Sequence, residues 1–416
     1  MAARLLPALR AGATWLAVGA LAGGFAVAFR LADGALFARA YHRPDIVSAF
    51  AALPVAARLL LPALGGALAA GLAARVRGGS GTAEIVAAAR GGGRVPLVPT
   101  LVDAAATFSA ISTGGSLGRE GPLLHFGAAT GSALRGRRGP SNPNAHLLIA
   151  AGTAAGFAAA YNTPIAAVLF VVEVVAGSAS VEVVLPSLTA TTVATLVSRW
   201  ALGGGPLYGL RSFSLRSSGE LALYAALGLA AGLVGPAFMA LLDGGRRAFR
   251  RLPVPAAVRG GLGGLVVGLC AMRFPEVTGN GYEVLQQMFN GAYSAPLLAV
   301  LLVVKAVGTT ASVSSGSPGG VFTPSLFLGG ALGGVIGAAV QSLGHAPHAA
   351  GGFVLVGMAT MIAATTHAPV MASVLAFELS GDYAIVLPLF IATVAATLVS
   401  KRLRARSIYG VEVSNR

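Results

Sequence analysis

Between Asp103 and Arg135 the chain carries only two acidic or basic residues, Arg119 and Glu120, adjacent in Gly118-Arg119-Glu120-Gly121-Pro122. A carboxylate set in so apolar a stretch can carry a proton or compete with an anion, and such a residue inside a membrane segment marks a functional site. A local Arg–Glu pair is the plainer alternative, but neighbours at i and i+1 point apart on a helix. Pro122 suits a first helical turn, where its missing N–H costs nothing. The same arrangement returns without charge as Gly320-Val321-Phe322-Thr323-Pro324. Two helices therefore aim their N-termini at one point, each with roughly +0.5 charge and unpaired N–H donors. A small dehydrated anion would be held there and still released, because it meets no full positive charge. A third glycine-rich start, Gly78-Gly79-Ser80-Gly81-Thr82-Ala83-Glu84, adds a hydroxyl. Ser80 is either a turn or N-cap residue or a donor to the same anion.

The elements that must position these residues are membrane helices. Of 416 residues, 55% are hydrophobic and only 10% charged, against roughly 25% charged in soluble domains. Glycine, at 58 residues, is enriched as in polytopic helical membrane proteins. Residues 11–29, 139–172, 221–242, 306–377 and 383–400 carry no charge. One span needs about 20 apolar residues, so the 72 residues of 306–377 cross or re-enter more than once. That run contains the polar stretch Ser312–Gly320, and irregular backbone at membrane depth must be buried in protein or line a wet cavity. Broken helices are expected, and they mark a binding site. The first run is read as a retained helix with a cytoplasmic N-terminus, being longer than a signal-peptide core.

The net charge of +15 is read as basic loops on the cytoplasmic side of the spans, not as a nucleic-acid surface. The clusters are Arg135, Arg137 and Arg138; Arg246, Arg247, Arg250 and Arg251; and Lys401, Arg402, Arg404 and Arg406. One cysteine, Cys270, excludes an intrachain disulfide framework. The histidines His345, His348 and His367 have no metal-ligand spacing. No metal or cofactor is expected, and no nucleic acid.

The chain also repeats itself. Residues 185–199 and 387–401 are identical at nine of fifteen positions, at an offset of 202. The same offset pairs Gly114, Gly118, Pro122, Gly127 and Gly131 with Gly316, Gly320, Pro324, Gly329 and Gly333. An offset of 205 pairs Gly152, Pro164 and Glu173 with Gly357, Pro369 and Glu378. We read two membrane halves, 1–202 and 203–416, with no separate soluble domain and the site between the halves. Asn162 and His367, at matching positions before Thr163-Pro164 and Ala368-Pro369, read as helix-break caps. His125 reads as a packing or pore-rim residue, and Glu378 receives no role.

With these motifs in order the chain resembles the CLC family of chloride channels and proton–chloride antiporters over nearly its whole length. The family signatures Gly-Ser-Gly-Ile-Pro, Gly-Lys/Arg-Glu-Gly-Pro and Gly-x-Phe-x-Pro match the segments of Ser80, Glu120 and Phe322, and a terminal tyrosine matches Tyr409. The resemblance implies an all-α polytopic membrane protein, an inverted repeat with broken, re-entrant helices, embedded in the lipid bilayer as a homodimer with one pathway per subunit. It implies a central chloride held by the hydroxyls of Ser80 and Tyr409 and the backbone N–H groups of Val321 and Phe322. Gly118, Arg119, Gly121 and Gly320 would supply supporting backbone. Glu120 would be the gate, blocking the path when ionised and swinging away when protonated.

Three departures qualify this. Thr82-Ala83 replaces Ile-Pro after Ser80. Val174, next to Glu173, stands where family antiporters carry an inner proton-transfer glutamate, which favours a passive or weakly proton-coupled channel over a proton-coupled antiporter. The chain ends seven residues after Tyr409, without the nucleotide-binding CBS domains of many relatives. Ser80 points to chloride, with nitrate and bromide as alternatives, because the family's fluoride exporters replace that serine. Both termini would be cytoplasmic, in a bacterial inner membrane. Two readings from other classes remain. One is a rhomboid-like intramembrane protease with Ser80 as nucleophile and His367 as its base, which leaves the repeat unexplained. The other is a solute carrier indifferent to Glu120. Neither an enzyme nor a cofactor is otherwise implied.

Overall fold

The computed structural model describes residues 2–76, 81–91, 93–134, 145–209, 213, 219–343 and 350–410. Ser80, Gly78, Gly79, Arg135, Arg137, Arg138, His345 and His348 lie outside them. The first half contributes α1 (Ala2–Leu36), α2 (Ile46–Ala52), α3 (Val55–Ala73), α4 (Thr82–Gly91), α5 (Leu97–Ser112), α6 (Glu120–Leu134), α7 (Ala145–Tyr161), α8 (Pro164–Phe170) and α9 (Val181–Leu202). The second contributes α10 (Glu220–Arg250), α11 (Ala256–Arg273), α12 (Tyr282–Phe289), α13 (Ala295–Ser314), α14 (Phe322–Ser342), α15 (Ala350–Thr366), α16 (Pro369–Ser380) and α17 (Val386–Leu403). Among the described residues, eight helices are long and apolar enough to span a bilayer. The charge-free stretch 306–377 divides into the end of α13, all of α14 and α15, and most of α16. Its polar segment ends α13 at Ser314 and continues as the non-helical link to α14, in which Ser315 and Ser317 are 2% and 4% exposed.

The helix breaks have local causes. α7 ends at Asn162 and α15 before His367, both in the left-handed region (φ 59° and 61°). Each then closes its helix by a backbone N–H bond to Ala158 and Ala363 respectively. Asn and His tolerate that conformation better than most side chains, and the proline two residues on starts α8 and α16.

Glycine sets the core. α6 lies on α7 and α14 on α15 so closely that a Cβ on Gly127 would strike the Gly152 carbonyl, and one on Gly329 the Gly357 carbonyl. Membrane helices approach this closely through small residues. α7 from Leu148 and α15 from Gly352 are accordingly buried on every side, as expected of helices apolar all round. α3 and α9 turn side chains such as Leu64 and Trp200 outward, toward lipid.

The two halves meet through paired contacts. Gly118 and Gly320 exchange both backbone hydrogen bonds, 2.8 Å each, in an antiparallel bridge. Glu173 accepts from the N–H groups of Val370 and Met371 (3.4 and 2.7 Å) at the start of α16. Glu378 accepts from Ile165 and Ala166 (3.1 and 2.7 Å) at the start of α8. Such exchange is the mark of a local two-fold relation. The basic clusters differ from the sequence reading in one respect: Arg246, Arg247 and Arg250 belong to the end of α10, and Lys401 and Arg402 to the last turn of α17. Cations there are favoured by the negative end of the helix dipole, so the helices run further than charge alone implied.

Candidate functional site

Glu120 opens α6 and is 3% exposed, yet its carboxylate is fully engaged across the bridge. Oε1 accepts from the backbone N–H groups of Phe322 (2.8 Å) and Thr323 (3.1 Å). Oε2 accepts from the Thr323 hydroxyl (2.8 Å). The Tyr161 hydroxyl lies 2.8 Å from that of Thr323, whose only proton is already given away, so Tyr161 donates to Thr323. The carboxylate thus occupies the N-terminus of α14, where orphan N–H groups and the helix dipole favour an anion. Gly118 and Gly320 leave it room, since a Cβ on either would overlap its oxygens.

Arg119 does not neutralise this charge. Its guanidinium lies 6.0 Å from the centroid of the Tyr282 ring. Among the described residues the ion pairs are those of Asp243 with Arg246 and Arg404. Gly121 sits against the backbone of Gly319 and Gly320.

Two cavities meet at Glu120. One, of about 230 Å³, is lined by Thr82, Phe322, Val321, Tyr409 and Arg246 among others. The second, of about 10 Å³, has Arg119, Tyr161, Tyr282 and Thr323 in its wall. Among the described residues, Glu120 is the one common to both walls.

Of the residues singled out from sequence, Glu120, Val321, Phe322 and Tyr409 border the larger cavity. Phe322 bonds Glu120 through its N–H, whereas the second amide on that carboxylate belongs to Thr323 rather than Val321. Tyr409 is 9% exposed and packs edge-on to Phe170 with centroids 6.0 Å apart. Its segment is tied down by the Ile408 N–H on the Thr365 carbonyl (2.8 Å). Thr82, which stands where the family pattern has isoleucine, lines the same cavity as Tyr409.

His125 is more than packing. It lines a neighbouring cavity and its Nε2 accepts the Gly81 N–H (2.9 Å), so the ring is neutral with its proton on Nδ1. Gly81 itself has φ +132°, a conformation that requires glycine. Thr323 and Tyr161 were missed from sequence, as was the contact of His125 with Gly81. Only the position of Thr323 beside the Phe322 motif gave any signal for them. In chemical terms, the arrangement offers an uncharged nest of N–H and O–H donors that is filled by the Glu120 carboxylate.

The model of the family described as Voltage gated chloride channel matches residues 63–401. A ClcB-like relative from Ralstonia nicotianae is 38% identical over 377 residues, 88% of this chain and 87% of its own. The ClC-type chloride channel ClcB of Escherichia coli is 35% identical over 364 residues, 85% of this chain and 86% of its own. Among solved structures, a slow cyanobacterial Cl⁻/H⁺ antiporter superposes with a TM-score of 0.87 over 96% of each chain, at 24% identity, a likeness of fold. An inverted-repeat helical fold with two broken helices meeting at one buried carboxylate, and a family match over most of its length, make this chain an integral, multi-pass member of the voltage-gated chloride channel (CLC) family.

Proposed function

We propose that the protein moves chloride across the membrane along a path on which Glu120 is a protonatable gate. The observation that carries this is the carboxylate seated on the α14 N-terminus as the shared wall of two otherwise separate cavities. Ionised, it fills the seat an anion would take. Protonated, it gives up a charge-assisted hold in which each such bond contributes about 1.5–3 kcal/mol, and chloride takes its donors.

Tyr409 and Ser80 supply hydroxyls to the inner anion position, with backbone N–H groups of Val321 and Phe322. Gly118, Arg119, Gly121 and Gly320 shape the backbone around it. Transport is passive or weakly coupled to protons, because Val174, buried in the π-helical turn Val171–Ala176, cannot relay one. The same reading makes the protein a homodimer with one pathway per subunit, in a bacterial inner membrane with both termini on the cytoplasmic face. The family transports ions and is not enzymatic, so the protease reading of Ser80 falls.

The test is chloride flux from proteoliposomes across pH. Glu120→Gln mimics the protonated gate and is expected to leave flux high and nearly pH-independent. A variant as pH-sensitive as the parent would show that Glu120 is not the gate.

A further inference from the structure

Asp103 sits on α5 at 9% exposure. Its backbone carbonyl is taken by the Thr107 hydroxyl (2.8 Å), but among the described residues nothing donates to its carboxylate. It lines a cavity of about 350 Å³, far above the roughly 10–15 Å³ that one water needs. This cavity adjoins the one that reaches Glu120, with Gly81, Gly121, Val313, Gly319 and Arg246 among the residues in both walls, so the two carboxylates line neighbouring cavities.

The charged and titratable groups around Asp103 come from three helices. Glu84 on α4 is close enough to repel it. His125 on α6 faces the same cavity with Nε2 committed to Gly81. Arg246 and Arg250, at the end of α10, line it as well. The position equivalent to Asp103 at the 202-residue offset is Lys305, which is fully buried and bonded to the Val277 and Gly279 carbonyls (2.9 and 2.8 Å). The first-half residue of this pair is thus the one that faces the cavity. A carboxylate without a donor is a poor wall for an anion path unless it exchanges protons with the water it faces.

We propose that Asp103 is the proton port through which Glu120 is protonated from the Arg246–Arg250 side. A proton from solution binds the Asp103 carboxylate and passes along hydrogen-bonded water to the Glu120 carboxylate, and Asp103 returns to its ionised form. Only O–H bonds are made and broken. The inference rests on Glu120 being the gate, and the port sets how fast that gate responds to acid.

The experiment records chloride current through the purified full-length protein in planar bilayers, with pH set independently on each face. In the parent, acid on one face is expected to raise the current. Asp103→Asn should cut the rate of that response at least tenfold, Asp103→Glu should restore it, and the response from the opposite face should be unchanged. Asp103→Ser replaces Asp103→Asn if the amide does not assemble. Combining Asp103→Asn with Glu120→Gln should add nothing to an already flat profile. The port is refuted if Asp103→Asn responds as the parent does while Glu120→Gln is flat. A Glu120→Gln current that follows pH like the parent, whatever Asp103 does, overturns the gate itself.

Discussion

The seat of Glu120 is built from three donors on one helix end, and the hydroxyl can be removed alone. Thr323→Val deletes that donor and should weaken the hold on the carboxylate by about 1.5–3 kcal/mol. Because the lost bond favours the ionised, blocking form, chloride flux is expected to persist to higher pH than in the parent. Flux measured across pH in proteoliposomes checks this, and an unchanged profile would exclude Thr323 from the gate. His125 invites a different comparison. His125→Gln keeps an acceptor for the Gly81 N–H and should retain transport, whereas His125→Leu leaves that buried N–H unpaired, at a cost of about 1–3 kcal/mol, and should reduce it. Equal flux in the two variants would remove the role. Glu120 and Phe322 could be read from sequence because charge, glycine and proline surround them. Tyr161, and the contact of His125 with Gly81, could not: the partners lie 162 and 44 residues away.

At the scale of elements, the breaks at Asn162 and His367 were legible because proline follows each and the repeat shows both. What secures the restarted helices was not legible. Glu173 and Glu378 each cap the short helix of the opposite half, at separations of 198 and 212 residues, and nothing local marks a partner so distant. A carboxylate accepts from two N–H groups where an amide accepts less well and adds donors of its own. Glu378→Gln and Glu173→Gln are therefore each expected to lower the thermal unfolding midpoint in detergent, by similar amounts given the matched geometry. Midpoints equal to the parent would show that the caps do not stabilise the fold. The α6–α7 contact gives a sharper case. Gly127→Ala drives a methyl into the Gly152 carbonyl, with backbone on both sides unable to yield, so folded protein recovered by size-exclusion chromatography should drop severely. Here the repeat itself was the signal, since Gly127 and Gly329 recur at one offset while sequence alone could not say what they touch.

For the whole molecule, two copies of one helical pattern bring a carboxylate from the first to a helix start of the second. The sequence announced the repeat and the charge-poor composition that demands a membrane. It was silent on how the halves face one another, because orientation is set by contacts such as the Gly118–Gly320 bridge that join residues 202 apart. The coupling question also belongs at this scale. With Val174 at the inner position, a chloride gradient across proteoliposomes is expected to drive little or no uphill proton movement, and stoichiometric proton pumping would establish antiport instead. The central claim is that carboxylate and halide compete for one seat. Its most direct measurement is anomalous diffraction from crystals of Glu120→Gln grown in bromide. The account predicts a bromide peak within hydrogen-bonding range of the Phe322 and Thr323 N–H groups, absent or much weaker in the parent at neutral pH. Equal peaks in both proteins, or none near those amides, would contradict it.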